Sequence, residues 1–402
     1  MLIGEKSHLT YCTNIHPGET WEEVFESLKK YSLDVKNKLV YDKPFGIGLR
    51  LSQKSASQLL EGKKLSTFKN WLRSNNLYVF TMNGFPFGDF HNVVIKDKVH
   101  TPDWTTKERV NYTSDLIKIL SFILPEGIEG GISTSPLSYK LWFNSDNEMD
   151  RVKTKSTKSL INLVVQLVEI KNKTGKLIHL DLEPEPDGLL ENTGEVINFY
   201  KDYLLKNGII ELKKKLKCTT EEAKLHILEH IQICYDVCHF ALAYEHPKEV
   251  VTQLQKEGIK IGKIQISAAL KCLKSNNTQL LKQQQSLQKF DEPTYLHQAV
   301  IRTQSGNLKH FSDLNAGIKA MNDPDFEEIR THFHVPVFVS NFEVLDATQE
   351  DIIDTLNLWG ENKFSNHLEV ETYTWTVLPE HLQTDITSSI VRELEWVQKQ
   401  LY

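Results

Sequence analysis

The stretch HLDLEPEP, from His179 to Pro186, sets His179, Asp181 and Glu183 on alternate positions of an apolar run and adds Glu185 between two prolines. Side chains two apart on a strand share a face, so these ionisable groups point one way. Three other short runs repeat the arrangement. IQICYDV ends in Asp236 with His239 three residues on, GKIQISA presents Gln265, and HLEVETYTW presents Glu369 and Glu371. The neighbouring aliphatics, such as Leu180 and Leu182 or Ile264 and Ile266, fall on the other parity. Carboxylates converging in a low-dielectric cavity repel one another, so they either take up protons or share a cation. A divalent metal is the simpler answer. Glu, Asp, a Gln amide and Glu form an all-oxygen set that suits Mg²⁺ or Mn²⁺, while a nearby His leaves Zn²⁺ or Co²⁺ open.

Within this group Glu371 is preferred to Glu369 because it stands nearer the strand end. His179 and Asp181 lie deeper and are expected to form an internal hydrogen-bonded pair. Cys234 and Cys238 flank Asp236 and precede His239, yet no second Cys or His pair stands at finger-like spacing, so they read as small buried hydrophobes.

Eight strand-like runs are needed to position these residues, and the sequence supplies them at 9–15, 45–52, 77–83, 130–135, 176–184, 231–237, 262–268 and 367–375. Segments of helical period lie between, which predicts a parallel sheet closed into a (β/α)8 TIM barrel. Barrel enzymes carry their reacting groups at the C-terminal strand ends, which is where Glu183, Asp236, Gln265 and Glu371 stand. Helix punctuation agrees with this order. Thr219 and Glu222 have capping-box spacing, Pro247 suits a first helical turn, and Gly258 suits a helix stop. The chain reads as one domain over 1–402. Its poor fit is 269–366, an insertion between strands seven and eight that is too long for an ordinary connection. Within it the Gln-rich KCLKSNNTQLLKQQQSLQKF is either mobile or helical, and THFHVPVFVSNF over 331–342 reads as an extra extended segment.

The insertion also carries His332 and His334, two apart, with Arg330 in the same register. This basic trio either binds an anionic group of a substrate at the mouth or supplies a further metal ligand. Near the N-terminus, His16, Arg50, Asn83 and His91 follow or end early strands and are candidate substrate contacts. Asn83 opens NGFPFG, a turn with two glycines and a proline that lays two phenyl rings beside a ligand.

The 402 residues carry a formal charge of −6 with both signs spread throughout, so no basic face meets nucleic acid. No signal-peptide pattern and no membrane span of about 18 uncharged apolar residues is present, so a cytoplasmic protein is expected. Five scattered cysteines give no disulfide framework.

Glu at strand five, Asp with His three residues on at strand six, Gln at strand seven and Glu at strand eight resemble the xylose isomerase-like barrel superfamily, and the Gln version is similar to hydroxypyruvate isomerase. The resemblance implies one divalent metal on Glu183, Asp236, Gln265 and Glu371. It also implies that Glu183 and Glu371 move a proton between substrate carbons and that His239 contacts substrate as a catalytic residue. Many relatives have His where this chain has Gln265. Five further strings, HLTYCTNIHPGETW, PFGIGLRLS, YVFTMNGFPFGDFH, RTHFHVPVF and ETYTWTVLP, resemble a narrower group, the EboE metabolite traffic family. That likeness implies work on a secondary-metabolite precursor with other products of a gene cluster. The expected function is therefore a metal-dependent isomerase or epimerase of a small polyhydroxy or hydroxy-keto compound. The alternative is a non-catalytic metabolite-binding or trafficking protein on the same barrel. Phosphodiester cleavage ranks lower, given the acidic charge and few histidine ligands.

Overall fold

In the computed structural model, which describes residues 1–88, 96–291, 295–375 and 385–401, the strands fall into two sheets. In chain order they are β1 His8–Tyr11, β2 Phe45–Arg50, β3 Leu77–Asn83, β4 Gly130–Thr134, β5 Ile178–Leu182, β6 Ile231–Asp236 and β7 Ile261–Ile266. There follow β8 Ala268–Leu273, β9 Ala299–Thr303, β10 Leu308–Phe311, β11 Phe326–Val335, β12 Asn341–Phe342, β13 Leu345–Ala347 and β14 His367–Val370.

The first sheet is parallel and runs β1-β14-β7-β6-β5-β4-β3-β2. Its two edges meet. Cys12 bridges Gly48 in parallel, and the Thr10 hydroxyl donates to the Gly46 carbonyl at 2.7 Å while accepting from the Gly48 amide at 3.2 Å. Gly48 is demanded by this closure, because a Cβ there would stand 1.9 Å from Glu369 Oε2 and 2.6 Å from the Tyr11 carbonyl. Eight parallel strands thus form a nearly closed TIM barrel, as the alternation of runs predicted. Leu180, Leu182, Ile264 and Ile266 are fully buried on the outer parity under the helices.

The helix signals act as expected. Thr219 accepts from the Glu222 amide and Glu222 reaches back, closing the box that opens the helix Thr220–His230. Pro247 begins the helix Pro247–Lys256, and Gly258 takes the left-handed φ of +73° beyond its end. Among the described residues, no helix is long and apolar enough to cross a membrane.

The strand bounds depart most from the sequence reading at the first and last strands. The first strand stops at Tyr11, and Thr13–Ile15 turns as a 3-10 helix. The last stops at Val370, because Thr372 and Thr374 direct their hydroxyls to Glu393 and to the His334 carbonyl and carry residues 371–375 off the sheet.

The insertion builds an antiparallel sheet in the order β10-β9-β11-β8-β13-β12. Its Gln-rich segment is the helix Asn277–Gln288, capped by Asn276. The extended segment lies earlier than 331–342, as β11. β11 pairs Thr331 with Leu270 but Val335 with Ala268, so four steps on one strand face two on the other. Such an irregularity re-aims side chains, and it falls at His332 and His334.

Candidate metal centre at the barrel mouth

Asp236 ends β6 and caps the helix Val237–Leu242. Its Oδ1 accepts from the His239 amide at 3.1 Å and from the Ser267 hydroxyl at 2.7 Å. Its Oδ2 is buried with no hydrogen-bond partner among the described residues, 3.9 Å from His239 Nε2 and 3.9 Å from His334 Nε2.

His239 and His334 flank that oxygen, His332 faces His239, and each of the three rings gives away its Nδ1 proton elsewhere. His239 Nδ1 donates to the Pro184 carbonyl at 2.9 Å, His332 Nδ1 to Gln298 Oε1 at 3.0 Å, and His334 Nδ1 to the Glu371 carbonyl at 3.0 Å. Gln298 cannot turn its amide round, because Nε2 donates to the Pro186 carbonyl at 3.1 Å. The Nε2 atoms are therefore left as lone-pair nitrogens. His239 Nε2 and His332 Nε2 face each other at 3.1 Å. Burial keeps both rings uncharged, pushing His239 down to about 4 and His332 well below the usual range, with neighbouring imidazoles adding to the fall at His332. Lone pairs this close, without a proton between them, call for a cation. Asp236, His239 and His334 offer ligand atoms within 4.8 Å of one another, and so do Glu185, His239 and His332. These residues fit a divalent ion.

The glutamates stand beside this cluster. Glu371 follows β14, and its Oε1 accepts from Asn14 Nδ2 at 2.7 Å and Asn83 Nδ2 at 3.0 Å. Burial raises its carboxyl to about 7, and the Gln265 amide holds it partly down. Glu183 follows β5, with Oε2 buried and without a hydrogen-bond partner among the described residues. Burial lifts it well above the carboxylate range, and the charges of Glu371 and Asp236 lift it further. Glu369 lies deeper, paired with the buried Lys263 at 3.1 Å. Glu371, not Glu369, reaches the pocket.

That pocket has a volume of about 590 Å³ including its open mouth, and its walls include Asn83, Glu183, His239, His332, His334 and Glu371. Asp236 and Gln265 lie beneath it, fully buried and paired in register. Other sequence candidates go elsewhere. Arg330 turns away to Glu328 at 2.7 Å, to the Ala241 carbonyl at 2.7 Å and onto the Tyr244 ring, so the basic trio is not assembled. Arg50 pairs with Glu19 at 3.0 Å and holds the carbonyls of Gly18 and Gly88. His16 stacks on Tyr31 and meets the Tyr11 hydroxyl at 2.9 Å, sharing with Arg50 a separate small recess. His91 lies outside the described residues. His179 and Asp181 pair at 2.6 Å, as expected of an internal pair.

Sequence reasoning missed Asn14, Gln298 and Glu185. Asn14 follows strand one as Asn83 ends strand three, so its position could have pointed to it. Gln298 belongs to the insertion, where no barrel register applies. Glu185 was visible between its prolines, but only the fold shows it on the pocket wall, 3.5 Å from the buried His100.

No family model matches the chain, and no curated protein does. Solved structures do. A D-tagatose 3-epimerase-like protein is 12% identical with a TM-score of 0.50, covering 98% of this chain and 97% of its own. A xylose isomerase-like TIM barrel protein from Mycobacterium smegmatis, in complex with magnesium, is 10% identical with a TM-score of 0.50, covering 99% and 97%. The IOLI protein with a bound zinc atom is 12% identical at 0.47, covering 98% of both chains. The fold is that of the xylose isomerase-like TIM barrels.

Proposed function

We propose that this chain is a metal-dependent isomerase or epimerase of a small polyhydroxy or hydroxy-keto compound. The observation that carries the reading is the convergence of three Nε2 lone pairs and Asp236 Oδ2 with no donor among them, beside two buried glutamates. His239, His332, His334 and Asp236 would hold the ion, with Glu183, Glu371 and the Gln265 amide within the same shell. This mixed nitrogen and oxygen set favours Zn²⁺ or Co²⁺ over the Mg²⁺ or Mn²⁺ that oxygen ligands alone implied. Bound there, a cation supplies polarisation of a substrate carbonyl oxygen.

The chain's own residues supply the proton traffic. Asn14 and Asn83 occupy Glu371 Oε1, which leaves Oε2 to take a proton from the carbon beside the carbonyl. Glu183 returns a proton to carbon, at the opposite face for epimerisation or, with the hydroxyl proton passing to the former carbonyl oxygen, at the adjacent carbon for isomerisation. Both acids are raised by burial, which suits groups that must alternate between charged and neutral forms. The solved structures with epimerase-like and magnesium-bound neighbours support the class of reaction. The resemblance of five strings to the EboE group is the ground for proposing a place in secondary-metabolite handling.

The test is the metal content of the purified protein together with deuterium exchange from solvent into ketoses and hydroxy-keto acids, followed by NMR. Bound metal with exchange that is lost in Glu371→Gln is the expected result. Bound metal without exchange on any of them would move the barrel to a binding role, and no metal after titration with Zn²⁺ or Mn²⁺ would sink the centre.

A further inference from the structure

The far end of the barrel holds histidines that the mouth chemistry does not use. His8 and His367 begin β1 and β14 side by side in register, and His179 stands near the start of β5. His179 Nδ1 lies 2.6 Å from Asp181 Oδ1. That contact fixes a proton at Nδ1, so that in the neutral ring Nε2 is the lone-pair nitrogen, the orientation a carboxylate imposes on a metal-bound imidazole. His367 repeats the pattern from the other side. It is fully buried, its Nε2 donates to the Glu129 carbonyl at 3.2 Å, and its Nδ1 has no hydrogen-bond partner among the described residues. Asp181 Oδ2 is likewise buried without one.

Two glycines make the room. A Cβ on Gly131 would stand 2.8 Å from both His367 Nδ1 and Asp181 Oδ2, and one on Gly262 would stand 2.0 Å from Asp181 Oδ1. One carboxylate oxygen of Glu129 and one ring nitrogen each of His179 and His367 lie within 4.8 Å of one another. Glu129 is only half-buried, with Oε1 held by Asn366 Nδ2 at 2.7 Å, so the cluster opens to solvent on that side.

We propose a second cation site at this floor, in which Glu129, His179 and His367 hold a divalent ion of the zinc class and Asp181 orients His179. Two imidazoles and a carboxylate with a fourth position open match the zinc donor set. The ion ties the starts of β5 and β14 to the turn before β4.

The test titrates metal-free protein with Zn²⁺, comparing the parent with Glu129→Gln, His367→Phe and His334→Ala. Glu129 is half-exposed and Phe keeps the ring volume at 367, so folded variants are expected, checked by circular dichroism. Each floor variant should bind one equivalent fewer than the parent, or bind that equivalent at least tenfold more weakly, whereas His334→Ala should keep it. Parent-like stoichiometry and affinity in both floor variants overturns the floor site, leaving a His179 imidazolium and water there, even when His334→Ala reports a mouth site. A parent that binds no Zn²⁺ overturns both.

Discussion

The two ends of this barrel use the same device to different depths. At each end histidines give one N–H to a fixed acceptor, the Pro184 carbonyl, the Gln298 side chain and the Glu371 carbonyl at the mouth and Asp181 and the Glu129 carbonyl at the floor, and turn the other nitrogen inward. The mouth has three such rings, two further glutamates that burial makes weaker acids, and a pocket above them. The floor has two rings and one glutamate, with room made by missing Cβ atoms and a half-buried carboxylate at its rim. A cation at the floor can hold strands together, whereas a cation at the mouth can also meet a substrate. Access and spare carboxylates, more than ligand type, separate the two.

The largest effect should come from the layer between the ends. Lys263→Met strands Glu369 as an unpaired buried charge, and unfolding by denaturant should show a loss of about 3–5 kcal/mol. The double variant Lys263→Met, Glu369→Leu should recover most of it. No recovery would mean that Lys263 acts through more than this pair, such as its contact with the Met82 carbonyl at 3.3 Å.

A pH series on metal-free protein isolates the mouth. Glu393, on the helix Ile386–Leu401, accepts at Oε1 from the Thr372 hydroxyl at 2.6 Å and the Val337 amide at 3.2 Å, joining the exits of β14 and β11. Burial raises it from the ordinary 4.5 to about 7. The folded protein therefore holds this proton more tightly than the unfolded chain, so the contribution of Glu393 to stability is greatest below about 4.5, falls as pH rises to about 7, and levels off above. Glu393→Gln should remove about 3 kcal/mol of that fall, and an unchanged pH slope would reject the assignment.

Smaller changes sharpen the contrast between ligand and support. His239→Ala with His334→Ala should weaken Zn²⁺ binding at the mouth on the order of 100-fold, and Gln298→Ala, which only orients His332, about tenfold. Equal effects from both would mean that orientation is as important as ligation. At the floor, Tyr78→Phe removes the hydroxyl 2.7 Å from His8 Nδ1 and should lower stability by about 1 kcal/mol without changing metal stoichiometry.

Much of the fold was legible because the signals are local. Strand parity placed Glu183, Asp236, Gln265 and Glu371 on the inner face, and the Thr219–Glu222 box and Pro247 marked helix starts that the structure keeps. The preference for Glu371 over Glu369 follows strand position as well, since the deeper residue is taken by Lys263, whose own place on the inner parity in GKIQIS was readable. Arg50 and His16 misled because a residue at a strand end can serve the neighbouring loop as readily as the mouth, and Arg330 because register alone says nothing of the acids Glu328 and Asp351 beside it.

By itself, then, the sequence determined the eight alternating strands, the inner parity of the acidic residues and the helix caps, since these depend on neighbours within a few positions along the chain. Only the tertiary structure decided that His332 and His334 leave β11 at an irregular step to join His239 and Asp236, that Gln298 and the Glu371 carbonyl fix their tautomers, and that Glu129, His179 and His367 meet at the floor. Those contacts join residues far apart in the chain, and which nitrogen of a histidine is left bare depends on an acceptor that no local pattern can place.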